Sequence, residues 1–327
     1  MTDSIHIHRY TLRSAGALNS LSTRHEHHGA LIRVGQGGEV GYGCIHPWPE
    51  LGDRDLDETL RLLTQEEQTP LSARALACAL VDQKARSEMR SLFEGLTVPR
   101  SHATLMMDAT DFQTAVERGF EIVKVKVGRD CPAEIDFIRA QSARFPELQW
   151  RLDFNGSQSL DSVEIFLRDL GEDVRDKIDF IEDAYLPNTS PWVNGLGPMG
   201  PYGTPMAVDR EIEDVSIESG FGVAIIKPAV NDVMLILKMA QDEHKRVVFT
   251  SYMDHPLGQC FAAWEAASAM KAYPDLVDTC GLVTHGLFEP NAFTERLGKP
   301  EPEFYPPAGT GLGFDDLLGD LPWTKLT

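Results

Sequence analysis

Apolar and polar positions alternate over Ile5-His6-Ile7-His8-Arg9-Tyr10, which predicts a strand over residues 5–12. A short apolar run at residues 30–34 and its return at 39–45 predict further strands within 30–46. Gly35-Gln36-Gly37-Gly38 supplies the turn between them. From Leu56 to about Leu92 the period lengthens to that of a helix, with Ala73, Leu76, Ala77 and Leu80 on one face. The N-terminal third therefore reads as an antiparallel meander followed by helices, an α+β unit over residues 1–98.

After Pro99 the pattern changes. Short apolar runs at 104–107, 122–127, 150–153, 179–182, 206–209, 224–227 and 247–250 alternate with helical stretches such as 133–145, 161–170 and 233–243. Repeated strand-then-helix units predict a parallel sheet. Seven or eight units in so short a span favour a closed (β/α) barrel, placed at 99–287. From about Phe288 the chain is rich in Pro and Gly and is expected to wrap back over the first domain.

Charge narrows the partners. Lys plus Arg number 30 and Asp plus Glu 50, a net charge of −20. So acidic a chain is not built to hold nucleic acid, and an anionic membrane face repels it. The opening Met1-Thr2-Asp3-Ser4-Ile5 lacks the basic flank and apolar core of a secretory leader. The five cysteines Cys44, Cys78, Cys131, Cys260 and Cys280 include no CxxC pair and read as reduced thiols of a cytoplasmic protein. A small-molecule substrate is the expected partner.

The charges on the barrel strands carry the chemistry. In Val123-Lys124-Val125-Lys126-Val127 the lysines share one face and the valines the other. The outer face of a barrel strand lies under helices, so the valines point out and both lysines in. Three later strands each end on an acid: Asp153, Glu182 and Asp209. The next ends on Lys227, only 18 residues after Asp209, so the helix between them is brief. The C-terminal ends of barrel strands open on one face, where three carboxylates meet between lysines. Such carboxylates repel unless a cation holds them, and an all-oxygen donor set suits a hard ion such as Mg²⁺.

Lys124-Val125-Lys126, Asp153-Phe154-Asn155, Glu182-Asp183, Asp209 and Lys227-Pro228 resemble the enolase superfamily, in its muconate-lactonizing-enzyme-like subgroup. Within that subgroup the chain is most similar to the o-succinylbenzoate synthase family, through residues 151–155, 224–228 and the segment Thr250-Ser251-Tyr252-Met253-Asp254-His255-Pro256-Leu257-Gly258. The resemblance implies a modified (β/α)7β TIM-like barrel with an α+β capping domain completed by residues 288–327. It implies Mg²⁺, or Mn²⁺ in its place, on Asp153, Glu182 and Asp209. Lys126 would be the base that removes the proton alpha to a carboxylate and then helps a hydroxyl leave. Lys227 would stabilise the enediolate, and Lys124 would tune Lys126 and contact the carboxylate. Asn155, Thr250, Ser251 and Gly281 would bind substrate. The implied reaction is the syn dehydration of 2-succinyl-6-hydroxy-2,4-cyclohexadiene-1-carboxylate in menaquinone biosynthesis. The lysine base with Mg²⁺ is a general pattern of that superfamily.

Some residues depart from the family pattern. Ala184 stands where a Pro often follows the second acid, and Arg210 with Glu211 where an acid follows the third. Tyr252 and His255 alter the Ser-rich segment. The same site would equally serve an N-acylamino acid racemase, a dipeptide epimerase or a cycloisomerase. A Schiff-base aldolase leaves the three acids unexplained, and a silent scaffold that keeps the metal site is a third class. Arg24-His25-Glu26-His27-His28 reads as a loop, with covering the substrate as a second role. Trp48 reads as domain packing, and Gly309-Thr310-Gly311-Leu312-Gly313 as a turn. His102, His244 and His285 receive no role.

Overall fold

The computed structural model describes residues 4–14, 18, 24–36, 39–185, 199–210, 212–213 and 220–327. Strands β1 (Ile5–Arg13), β2 (Glu26–Gln36) and β3 (Glu39–Ile45) form an antiparallel sheet, and a two-residue strand, Thr324–Lys325, extends it on the outer edge of β1. Gln36 pairs with Glu39 across the expected turn, whose Gly37 and Gly38 lie outside the described residues.

One expectation for this region is corrected. The histidine cluster is not wholly a loop: β2 begins at Glu26, and His27 and His28 pair with Leu12 and Thr11. His27 turns inward and is buried against Trp48 and Phe288, while Glu26 and His28 face out. An imidazole can lie on an apolar face, so polarity hid the alternation. The helical stretch is two helices, α1 (Leu56–Thr64) and α2 (Pro70–Ser87). Thr69 and Ser72 form a reciprocal capping box ahead of Pro70, which restarts the helix.

The inner face of α2 also differs from the predicted one. Leu71, Ala75, Cys78, Ala79, Asp82 and Ala85 are buried, whereas Leu80 is 53% exposed. Small residues face the sheet because the backbones approach closely. A Cβ on Gly41 would stand 1.9 Å from the Ala79 carbonyl oxygen, and one on Gly43 2.2 Å from that of Ala75. A buried aspartate on this face defeats a reading based on apolar periodicity alone.

Asp82 accepts from the backbone N–H of Tyr42 at 3.0 Å, that of Leu312 at 2.7 Å and Nε of Arg86 at 2.6 Å. It thereby ties β3, α2 and the C-terminal tail together. Asp82→Ala strands three donors in a dry interface. It should lower unfolding stability by about 3 kcal/mol or more, read from the midpoint of urea denaturation.

The barrel matches the predicted strands one for one. Strands β4 (Ala103–Leu105), β5 (Ile122–Lys126), β6 (Gln149–Asp153), β7 (Ile178–Glu182), β8 (Met206–Val208), β9 (Val223–Ile226) and β10 (Arg246–Phe249) run parallel in chain order. Parallel bridges Val247–Val277, Thr250–Gly281 and Ser101–Cys280 make residues 277–281 the eighth stave, which closes the ring. Helices Cys131–Arg144, Leu160–Leu170 and Val233–Asp242 follow their strands. Most of the brief segment between Asp209 and β9 (residues 211 and 214–219, with Glu211) lies outside the described residues.

Val123 and Val125 are buried in the main core with Phe112, Ile138 and Trp150, which places the lysines of β5 on the inner face. Phe180, Ala207, Val223, Ile225 and Val248 form a separate apolar cluster in the barrel interior. Among the described residues no helix is long and apolar enough to cross a membrane, and all five cysteines are free thiols.

Candidate active site

The parallel register builds the site. Lys126 pairs with Asp153 across β5 and β6, and Asp153 with Glu182 across β6 and β7. Register partners in a sheet point to the same face. These three side chains therefore form one row on the inner rim. Asp209 and Lys227 follow β8 and β9 directly. In an eight-stave ring β5 and β9 lie four staves apart, so Lys126 and Lys227 approach the opening from opposite sides.

The opening is a cavity of about 300 Å³. Its lining includes Lys124, Lys126, Asp153, Asp209 and Lys227, together with Asn155, Thr250, Ser251 and Gly281. Glu182 sits beneath it, 1% exposed. All ten residues singled out in the sequence are thus brought to one end of the barrel.

Their pairing differs from the expected cluster of acids. Lys124 reaches between two of them, contacting Glu182 Oε1 and lying 3.2 Å from Asp153 Oδ2. Lys227 Nζ donates to Asp209 Oδ2 at 2.5 Å. Among the described residues no three acidic, histidine or cysteine side chains stand close enough to grip an ion as placed. Buried carboxylates need counter-charge, and here the ammonium groups supply it. The donor chemistry still fits a hard cation. The three acids offer only oxygens, and Asp209 Oδ1 is buried with no hydrogen-bond partner among the described residues.

The two lysines of β5 are pushed in opposite directions. Burial works against the charge of Lys124, but Asp153, Glu182 and Asp209 outweigh it and hold the ammonium well above the ordinary lysine range. Lys126 is lowered to about 8, by burial first, with Lys124 and Lys227 adding repulsion against the pull of Asp153. Its Nζ donates to the Leu18 carbonyl at 2.7 Å. Burial raises Glu182 to about 7; Lys124 opposes this, while Asp153 and Asp209 add to it. Asp153 is held below its ordinary value, because Lys124 and Lys126 overcome the effect of burial.

Three residues to which the sequence assigns no role of their own belong to this end of the barrel. Asp183 accepts from the backbone N–H of Asp209 at 2.9 Å and of Arg210 at 3.2 Å, which fixes the turn that carries Asp209. Arg210 donates to Asn155 Oδ1 at 3.2 Å, linking the ends of β6 and β8. His102, buried and lining the cavity, bonds through Nδ1 to Arg151. Pattern reading passes over each of them, since it weighs residues at strand ends and their significance lies in cross-strand partners.

The first sheet reaches the site through Trp48, which is buried as packing predicted. Its indole N–H donates to the Tyr252 carbonyl at 2.8 Å, and the Tyr252 hydroxyl donates to Asp53 at 2.9 Å. The Tyr252 ring centre lies 5.8 Å from Lys227 Nζ, within reach of a cation–π contact.

The family model described as the O-succinylbenzoate synthase N-terminal domain matches residues 5–85. The o-succinylbenzoate synthase of Bdellovibrio bacteriovorus is 30% identical over 327 residues, covering 97% of this chain and 97% of that protein. Two solved structures share the fold. A dipeptide epimerase from Cytophaga hutchinsonii, complexed with Mg and D-Ala-L-Val, superposes with a TM-score of 0.79 at 17% identity over 100% of both chains. A mandelate racemase/muconate lactonizing protein from Herpetosiphon aurantiacus gives 0.77 at 16% identity, covering 95% of this chain and 98% of that one.

Proposed function

We propose, for a chain that belongs to the o-succinylbenzoate synthase family of the enolase superfamily, that it is a Mg²⁺-dependent dehydratase of a cyclic hydroxy acid. The reaction is the syn dehydration of 2-succinyl-6-hydroxy-2,4-cyclohexadiene-1-carboxylate to o-succinylbenzoate, a step of menaquinone biosynthesis in the cytoplasm. One observation carries the reading: Lys126 and Lys227 line a single cavity from opposite staves, with Asp153, Glu182 and Asp209 on the staves between.

Each group then has a role. Asp153, Glu182 and Asp209 would hold the divalent ion, which supplies positive charge to the substrate carboxylate and so makes its alpha proton more acidic. Lys126, lowered to about 8, has a usable neutral fraction near neutral pH and takes that proton. It returns the proton to the departing hydroxyl on the same face, which gives syn geometry. Lys227 faces the negative charge that develops on the carboxylate oxygens. Lys124 keeps Asp153 and Glu182 compatible at close range. Asn155, Thr250, Ser251 and Gly281 contact the rest of the substrate. Residues 1–98 with 288–327 act as the cap and 99–287 as the catalytic barrel.

The test is direct. Purified protein with Mg²⁺ and the cyclohexadiene substrate should form the aromatic product, followed by ultraviolet absorbance. A folded, metal-loaded protein that gives none rules the assignment out. Opposed lysines also suit racemisation, so an N-acylamino acid racemase or dipeptide epimerase is the second reading. Solvent deuterium entering Cα of an N-succinylamino acid, without dehydration of the cyclohexadiene, would select it.

A further inference from the structure

Tyr252 is one of the two residues by which the Ser-rich segment departs from the family pattern, and the dehydration gives it no role. The residue is buried, and its ring face meets the Lys227 ammonium, 5.8 Å from the ring centre. The capping domain grips it at both ends. The Trp48 indole N–H donates to its backbone carbonyl at 2.8 Å, and its hydroxyl donates to Asp53 Oδ2 at 2.9 Å. The same Asp53 oxygen accepts from the Trp48 backbone N–H at 2.8 Å, which closes the frame. Trp48 and Leu71 pack with Tyr252 in one buried apolar cluster, flanked by Val230 and Met253. Pinned at its carbonyl and its hydroxyl and packed between them, the ring is kept from swinging away from Lys227.

The backbone of Lys227 is fixed as well. Its N–H donates to Asn231 Oδ1 at 2.7 Å, and its carbonyl accepts from the N–H groups of Val230 at 3.0 Å and Asn231 at 2.9 Å. The next carbonyl, of Pro228, accepts from Arg74 Nε of α2 at 2.8 Å. The side chain beyond is long and flexible, so aiming its ammonium takes partners on more than one side. Among the described residues Asp209 Oδ2 supplies one, at 2.5 Å, and the Tyr252 ring a second. The two differ in kind. Asp209 is also read as a ligand of the divalent ion, so two cations claim its charge. An aromatic face attracts an ammonium through its quadrupole. It carries no net charge, so it neither draws the divalent ion from the carboxylates nor repels the negative charge that develops on the substrate.

We propose that Tyr252 is the positioning residue for Lys227: its ring face keeps the ammonium aimed into the cavity while Asp209 serves the divalent ion. The inference rests on the dehydratase reading, in which Lys227 faces the developing negative charge. Tyr252 acts through Lys227, and the frame of Trp48 and Asp53 holds it there from the capping domain.

The experiment joins a spectrum to turnover. In the full chain, isotopically labelled at lysine Cε, the Lys227 signal is assigned by its loss in Lys227→Met. The ring current should displace its Cε protons upfield in the wild type and in Tyr252→Phe, and Tyr252→Leu should return them to the ordinary lysine position. With Mg²⁺ and the cyclohexadiene substrate, Tyr252→Leu should lower kcat about tenfold and leave KM within about threefold, because what is lost is the aim of a group that acts in the transition state. Tyr252→Phe keeps the face and should recover most of that kcat. A residue that merely filled space or bound substrate would change stability or KM and leave the Lys227 signal in place. A kcat as low in Tyr252→Phe as in Tyr252→Leu overturns the proposal. So does an undisplaced Lys227 signal in the wild type, even where Tyr252→Leu fails to fold. Should that wild type still dehydrate its substrate, this inference alone is lost. A wild type that turns nothing over sinks the parent reading, and this role with it.

Discussion

Lys126→Ala should reduce turnover by about 10²- to 10⁴-fold, the range a positioned general base contributes, while the protein stays folded. The side chain ends in the cavity and, among the described residues, hydrogen-bonds only to the Leu18 carbonyl. Asp153 and Glu182 each keep a cationic contact when it is removed, because Lys124 reaches both. Circular dichroism and the thermal midpoint should therefore change little. The diagnostic readout is exchange of the substrate's alpha proton with solvent deuterium, which should disappear together with dehydration. Exchange that persists at the wild-type rate would assign the base elsewhere. The pH profile tests the same residue in the wild type. Lys126 acts as base only when neutral, and its value is lowered to about 8. The rate at low substrate should rise about tenfold per pH unit below 8 and level off above it.

Removing the divalent ion should bring turnover to background, and Mg²⁺ should restore it. Asp209→Asn should weaken Mg²⁺ binding by about a hundredfold or more, at least as much as a residue that merely orients a ligand contributes. The substitution keeps shape. Asp209 Oδ1 has no protein partner to lose, and Oδ2 still accepts from Lys227 as an amide oxygen. Titration calorimetry with Mg²⁺ reads the effect without relying on activity. An unchanged affinity would remove Asp209 from the ligand set. Because Lys124 and Lys227 occupy the acids in the protein by itself, binding of the ion should also depend on ionic strength.

The barrel was legible because its strands are short apolar runs, and five of them, β5 to β9, end on or just before a charged residue. Val123, Val125 and their lysines had only one plausible orientation, and the three acids recur about once per strand–helix unit. The eighth stave was not legible, since residues 277–281 form bridges rather than a ladder and carry no alternation. The inner face of α2 was misread because Ser72 and Asp82 are buried there among small residues. Ion pairing within the site was not foreseeable either. Spacing shows which strand end a carboxylate occupies, but not that Lys124 reaches two of them at once. His102 illustrates the same gap, for its ring nitrogen pairs with an arginine 49 residues away.

The pairing of Thr324–Lys325 with β1 has a consequence for synthesis. The Thr324 hydroxyl reaches the Ile7 carbonyl across 317 positions of the chain. At roughly 5–20 residues per second, the outer edge of β1 waits about 15–60 s on the ribosome for its partner. During that interval the whole barrel emerges, and β1 presents an open edge to neighbouring nascent chains.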